Sequence, residues 1–358
     1  MKKRSKLNSG NSLNDGYTFD SSERKNSDSV KSHSKAVKTV ILTIVFLILL
    51  LCGIGFIYVS MMMSRLNRSD PVNSEALQQY EEQPSEAPQW AVKTQQGVMN
   101  ILLLGVDEND DGSDGRSDSM MLISIDSDSK AIRLVSFLRD SYLEIPTIGK
   151  KKLNAAYSNG GVALTMQTLE NNFRIDVDRY VSINFENFAA VIDKMGGLDV
   201  PMSKATCREM NKNIGTHFKE GINHLNGAQC LYYARIRHAT DEFGHDDYGR
   251  TSRQRQIIQL MIQKIKGMNL LQSSQILYDY LPYVKTNLND SEILYLASIG
   301  VDLSSYKIES LQIPAPDTFT DKSDVPGAGD VLVLDLEKNC ALLRQFLYGE
   351  TIPSESSD

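Results

Sequence analysis

The chain has 358 residues, 41% of them apolar, and a net charge of −7. That apolar share can bury a sizeable core and excludes a wholly disordered chain, while the acidic balance argues against nucleic-acid binding and leaves any basic site to be local. Cysteine is confined to Cys52, Cys207, Cys230 and Cys340, with no CxxC pair and no Cys/His array at zinc spacing, so neither a disulfide scaffold nor a zinc module fits.

Residues 1–38 are rich in Ser, Asn and Lys and lack apolar periodicity, which predicts a disordered basic tail. Residues 39–63 (TVILTIVFLILLLCGIGFIYVSMMM) have no ionisable group apart from Cys52 and Tyr58, long enough for a transmembrane helix. Nine Lys/Arg against four Asp/Glu precede Ser64, leaving −12 for the rest, so the positive-inside rule puts the N-terminus in the cytoplasm and the remainder outside the cell membrane. Residues 64–96 are polar and carry Pro71, Pro84 and Pro88, as expected of an extracellular stalk.

Residues 97–350 alternate strand and helix patterns, which predicts a layered α/β domain with a central mixed β-sheet flanked by helices. Strands are expected at 98–106, 119–125, 132–138, 180–185, 231–237 and 306–313, and helices at 187–195, 251–266 and 291–299. Residues 351–358 read as a short tail.

Polar groups that interrupt these apolar runs are the candidates for chemistry. Asp107 ends the LLLGV strand, and Arg116 and Asp118 open the next one on a common face, so the two carboxylates could meet at neighbouring strand ends. The acidic loop between them lacks the twelfth-position Glu of an EF-hand. Arg139 ends a hydrophobic strand. Arg235 and Arg237 stand two apart in LYYARIRH, which on a strand sets two cations side by side, an arrangement that a bound polyanion would relieve. Arg250 and Gln254 share a face at the start of a helix, near the positive end of its dipole, with Arg253 and Arg255 at other azimuths. There is no P-loop, HExxH or GxSxG motif, and the five histidines are scattered.

Seven segments, NILLLGVD, GRSDSMMLISID, VSFLRDSYLEIP, KLNAAYSNGG, YVSINFENFAAVIDKMGGLDV, LNGAQCLYYARIRH and DYGRTSRQRQII, occur in this order after the apolar run. In them the chain resembles the LytR-CpsA-Psr family, membrane-anchored enzymes of Gram-positive cell-wall assembly. The resemblance implies transfer of an anionic glycopolymer (teichoic acid, capsule or a related wall polymer) from a polyprenyl-pyrophosphate carrier to peptidoglycan. It further implies that Asp107 and Asp118 hold Mg²⁺ and that Arg116, Arg139, Arg235, Arg237, Arg250 and Gln254 bind the pyrophosphate. Arg116 and Arg250 are also catalytic candidates, and Asp247, or its neighbour Asp246, is the candidate general base. Ile257, Met261 and Phe185 are candidates for an apolar lipid slot. Two other readings stand beside transfer: a polyprenyl-pyrophosphate hydrolase, and a non-catalytic polyprenyl-phosphate receptor or transcription attenuator.

Overall fold

The computed structural model describes residues 44–50, 53, 57–68, 87–88, 90–108, 114–177, 179–244 and 246–350; the side chains of residues 108, 114–116 and 270 lie outside the description. Two units separate, Met1–Met61 and Met62–Asp358. In the first, the described residues are helical, and no helix of the described residues is long and apolar enough to cross a membrane. Much of the predicted 39–63 run and all of 1–38, 69–86 and 351–358 lie outside the described residues.

The second unit is built on one seven-stranded sheet. Its strands are β1 (Asn67–Arg68), β2 (Val98–Glu108), β3 (Asp114–Asp126), β4 (Ala131–Phe137), β7 (Arg179–Asn184), β10 (Lys285–Thr286) and β11 (Lys307–Ile313). They lie in the order β1-β10-β7-β2-β3-β4-β11, with parallel pairs β2–β7, β4–β11 and β1–β10 among antiparallel ones, the mixed sheet expected. Three two-stranded sheets stand apart from it: β5–β6 (Tyr142–Ile145 and Gly149–Lys152), β8–β9 (Leu198–Met202 and Gly221–Leu225) and β12–β13 (Phe319–Val325 and Gly329–Leu334). The helices are α1 (Asn154–Phe173), α2 (Phe185–Lys194), α3 (Lys204–Ile214), α4 (Gly227–Tyr233), α5 (Asp246–Lys266), α6 (Leu270–Tyr280), α7 (Asp290–Val301) and α8 (Leu336–Tyr348).

Strand periodicity sorts the sheet's side chains into two cores. Leu102, Leu104, Val106, Met120, Leu122, Val135 and Phe137 pack with Val162, Met166 and Phe173 of α1 and with Cys340, Leu343 and Leu347 of α8. Ile101, Met121, Ile125, Ile132 and Leu134 point the other way, to Ile258 and Ile262 of α5 and Ile299 of α7. Strands buried on both faces explain the near-continuous apolar runs. A third core joins α2, β8, β9, α3 and α4 to Ile257 of α5.

The structure departs from the sequence expectation at two places. Residues 231–237 are not a strand: α4 occupies 227–233, started by a capping box in which Asn226 accepts from Gln229 N and Gln229 accepts from Asn226 N. Parts of 64–96, expected as a stalk, also pack on the folded unit. Arg174 Nε donates to Pro88 O at 2.8 Å, Arg344 Nη2 to Ala91 O at 3.0 Å, and Lys93 bridges Ile175, so residues 87–96 belong to the folded unit. At the other end, Asn67 and Arg68 already lie in the sheet.

Candidate functional site

One cavity of about 310 Å³ opens on the α5 side of the sheet. Leu103, Gly105 and Asp107 of β2 supply one wall, alternate residues of a pleated strand. Met121 and Ser119 of β3 continue it, yet Asp118 faces the cavity too, although it neighbours Ser119 in sequence. A β-bulge is the reason: Gly105 pairs with Ser119, Val106 with Ser117, and Asp118 is the extra residue that the bulge re-aims. Gly105 leaves room there, since a Cβ at this position would meet Ser119 Cβ at 3.1 Å and Phe185 Cε1 at 3.3 Å.

The opposite wall is α5, whose Arg250, Gln254, Ile257 and Ile258 follow helical spacing. Arg235 and Arg237, in the irregular segment after α4, close the rim. They project together because Ile236 between them is buried in the third core, not because they share a strand. The inner lining is apolar, from Leu103, Met121, Ile183, Ile257 and Ile258, while the polar residues gather at one end. Of the three residues expected to wall a lipid slot, Ile257 and Phe185 line this cavity and Met261 packs against the third core.

The charged end is an interlocked cluster. Arg139 Nη1 donates to Asp118 Oδ1 at 2.8 Å, and its Nε lies 3.5 Å from Asp140 Oδ2 and 3.8 Å from Asp247 Oδ1. Asp140 also pairs with Lys152 at 2.8 Å. Asp247 Oδ1 lies 2.7 Å from Arg250 Nη2 and 3.8 Å from Arg237 Nε. Despite these short approaches, neither carboxylate oxygen of Asp247 receives an aligned hydrogen bond among the described residues, and both are sealed from solvent. Burial pushes the Asp247 carboxyl above its ordinary range, more than Arg250, Arg139 and Arg237 pull it down. Burial likewise lowers the Arg250 guanidinium against the pull of Asp247. Arg139 shows the opposite balance: burial lowers it, but the hydrogen bond to Asp118 and the charges of Asp247, Asp118 and Asp140 outweigh that and raise it.

Arg235 has no carboxylate partner among the described residues; its guanidinium lies 4.3 Å from the centre of the Phe185 ring. Gln254 Oε1 accepts from Ser119 Oγ at 3.1 Å, tying α5 to β3. Asp107, Asp118, Arg235, Arg237, Arg250 and Gln254 thus line one cavity, and Arg139 and Asp247 back them. The backbone of Arg116 lies in β3, but its side chain is outside the described ones. Asp246, the neighbouring candidate, is exposed, with φ +50°.

Sequence reasoning missed Ser119, Phe185 as a cation partner, and the Asp140–Lys152 pair. It also left Arg253 without a task. That side chain is fully buried and donates to Ile236 O and Ala239 O, both at 3.1 Å, and to Asp241 Oδ2 at 2.8 Å. Arg253 therefore holds the segment that carries Arg235 and Arg237.

Asp107 and Asp118 are accessible carboxylates on one wall, a donor set that suits a hard cation which takes its remaining ligands from phosphate and water. Among the described residues no three His, Cys, Asp or Glu side chains gather into a ready-made metal cage.

Residues 61–334 match the model of the LytR_cpsA_psr family. The polyisoprenyl-teichoic acid–peptidoglycan teichoic acid transferase TagV of Bacillus subtilis (strain 168) is 34% identical over 227 residues, 62% of this chain and 57% of TagV, so the chain spans less than two thirds of that relative. The regulatory protein MsrR of Staphylococcus aureus (strain COL) is 32% identical over 253 residues, 70% of this chain and 75% of MsrR. Among solved structures, TagT bound to LI-WTA superposes with a TM-score of 0.57 at 26% identity, covering 70% of this chain and 91% of that one. YwtF (TagT) with bound octaprenyl pyrophosphate lipid gives 0.54 at 25% identity, with the same coverage.

Proposed function

The chain belongs to the LytR-CpsA-Psr family, and from that premise we propose that it is a membrane-anchored phosphotransferase that moves an anionic glycopolymer from a polyprenyl-pyrophosphate carrier to peptidoglycan. The observation that carries this reading is the division of one cavity into an apolar part and an end where arginines from three separate stretches (Arg139, Arg235 with Arg237, and Arg250) converge. A prenyl chain suits the first part and a diphosphate the second. The names of the relatives agree: TagV is a teichoic acid transferase, and a TagT structure holds a prenyl pyrophosphate lipid. The apolar run at 39–63 is assigned as the anchor, with the N-terminus cytoplasmic and the domain outside.

Arg235, Arg237, Arg250, Arg139 and Arg116, with Gln254, bind the diphosphate. Asp107 and Asp118 hold Mg²⁺, which when bound neutralises charge on the phosphate oxygens. In the reaction an acceptor hydroxyl oxygen of peptidoglycan attacks the phosphorus that carries the glycopolymer. A new P–O bond forms, the bond to the bridging oxygen breaks, and polyprenyl phosphate leaves with that electron pair. Arg235 and Arg250 stabilise the charge that develops on the leaving phosphate, and the acceptor's proton passes to Asp247. Two features support that last role: the Asp247 carboxyl is held up by burial, and its oxygens have no aligned donor.

The test incubates the full chain in lipid vesicles with a labelled lipid-pyrophosphate-linked oligosaccharide, Mg²⁺ and peptidoglycan oligomers. Label joined to peptidoglycan through a phosphodiester is the expected product. Label found only as free sugar phosphate would replace transfer with hydrolysis, and tight binding without turnover would replace it with a receptor.

A further inference from the structure

The folded unit begins almost where the apolar run stops. Met63 closes that run, and Arg65, two residues on, already lies over the Tyr278 ring of α6 at 4.3 Å. Asn67 and Arg68 then pair with Lys285 and Thr286 at the sheet edge, and Arg68 forms an ion pair with Asp290. Two or three residues span at most about 10 Å. Met63, the last residue of the run, and α6, both in the second unit, therefore stand close together.

The outer side of α6 exposes apolar side chains among the described residues. Leu271 is 78% exposed, Leu277 46%, and Tyr283, in the 3₁₀ turn Leu281–Tyr283 that follows, 55%. At about 100° per residue, Leu271, Ser274, Leu277 and Tyr278 fall within an arc of about 120°, the arc on which Arg65 rests. The opposite side of the helix faces the protein: Tyr280 donates from its hydroxyl to Ala190 O at 3.0 Å, and Asp279 pairs with Lys194 at 2.8 Å, both partners on α2. At the start of α2 stand Phe185 and Phe188, which line the cavity. One helix thus separates the exposed leucines from the site.

We propose that α6 and its 3₁₀ turn form a bilayer-contact surface, with Leu271, Leu277 and Tyr283 seated at the boundary of head groups and acyl chains, holding the cavity at the height of the carrier's diphosphate. The inference rests on the membrane-anchored reading above. An amphipathic helix lying in the interface is held by a few such side chains, and a tyrosine at its end suits the head-group layer. Proximity to the end of the apolar run selects a bilayer rather than a second protein as the occupant.

The experiment places the full chain, with Cys52→Ala, in phosphatidylcholine nanodiscs and attaches a nitroxide at Leu277→Cys or, as control, at Ser323→Cys. Cys207, Cys230 and Cys340 are buried, and Ser323 is an exposed residue of β12. The Leu277 label should collide preferentially with oxygen, and the Ser323 label with a water-soluble nickel complex. A chain that fails to stay with the discs overturns the anchored reading and this surface with it; a chain that stays while both labels report water overturns the surface alone. As a second measure, the Leu271→Asp/Leu277→Asp variant should lose about tenfold in turnover on a long-chain carrier embedded in the disc. On a short-chain, water-soluble diphosphate it should match the parent chain. No loss on the embedded carrier, or equal loss on both, overturns the proposal.

Discussion

Helix α5 carries two buried arginines one turn apart, each beside an aspartate, and the two pairs are built to opposite ends. Arg253 spends its terminal nitrogens on two backbone carbonyls and on Asp241, which also accepts from Thr206 Oγ1 at 2.6 Å and Ser203 Oγ at 3.0 Å. Burial alone would raise the Asp241 carboxyl, but the bonds from Thr206, Arg253 and the Phe243 amide outweigh it and hold it below its ordinary range. Arg250 and Asp247 approach as closely, 2.7 Å against 2.8 Å, yet the contact is unaligned and burial disfavours both charges. A satisfied pair fixes the backbone; the other leaves both Asp247 oxygens and Arg250 Nε without a hydrogen-bond partner among the described residues, while Arg250 Nη2 donates to Asp118 O at 3.3 Å.

The contrast can be broken by substitution. Arg253→Ala should cost about 3–5 kcal/mol of stability, since it strands a buried carboxylate and two carbonyls, as read by chemical denaturation. Arg250→Ala should instead cost less stability, because Arg139 and Arg237 remain 3.8 Å from Asp247, and cut turnover about 10²–10³-fold, the usual loss of one transition-state donor. Equal destabilisation by the two would erase the distinction. Arg235→Ala, which leaves no carboxylate stranded, should lower turnover and carrier affinity with no measurable change in melting temperature.

Acidity sharpens the comparison, because the two aspartates have opposite signs. The lowered Asp241 stabilises the fold above its unfolded pKa, and that share is lost as pH falls through the lower folded value. Asp241→Asn should therefore destabilise at neutral pH and lose its effect in acid. The raised Asp247 penalises the fold, a penalty absent below the unfolded pKa and complete above the higher folded one. Asp247→Asn should stabilise at neutral pH, and should also remove the acid limb of the activity profile, which falls as pH drops through the raised pKa. A limb that survives Asp247→Asn removes it as the proton acceptor. The smallest effect is expected from Asp118→Ala: a weakened Mg²⁺ titration, with binding of the apolar tail intact.

Much of this was legible from residue order. The runs that became β2 and β3 are nearly continuous in apolar residues because both faces of the sheet are covered, and the charges that end them mark the site. Residues 231–237 misled because Tyr232, Tyr233 and the alternation Arg235-Ile236-Arg237 suit a strand, while the helix start signal lies upstream at Asn226 and Gln229. The lack of an aligned hydrogen bond to Asp247 could not be read, since it depends on how three arginines from distant segments are angled. Nor could the task of Arg253, whose acceptors are backbone oxygens and carry no side-chain signature.

The bulge at Asp118 makes the site vulnerable to a kind of change that substitution scans do not sample. Deleting one residue between Arg116 and Ser119 would let the ladder run in regular register, with every apolar side chain downstream of Ser119 still on its own face. The carboxylate side would then be dealt to the wrong layer, against α1. A single lost codon could thus leave a well-folded domain with its anion-handling mouth half dismantled.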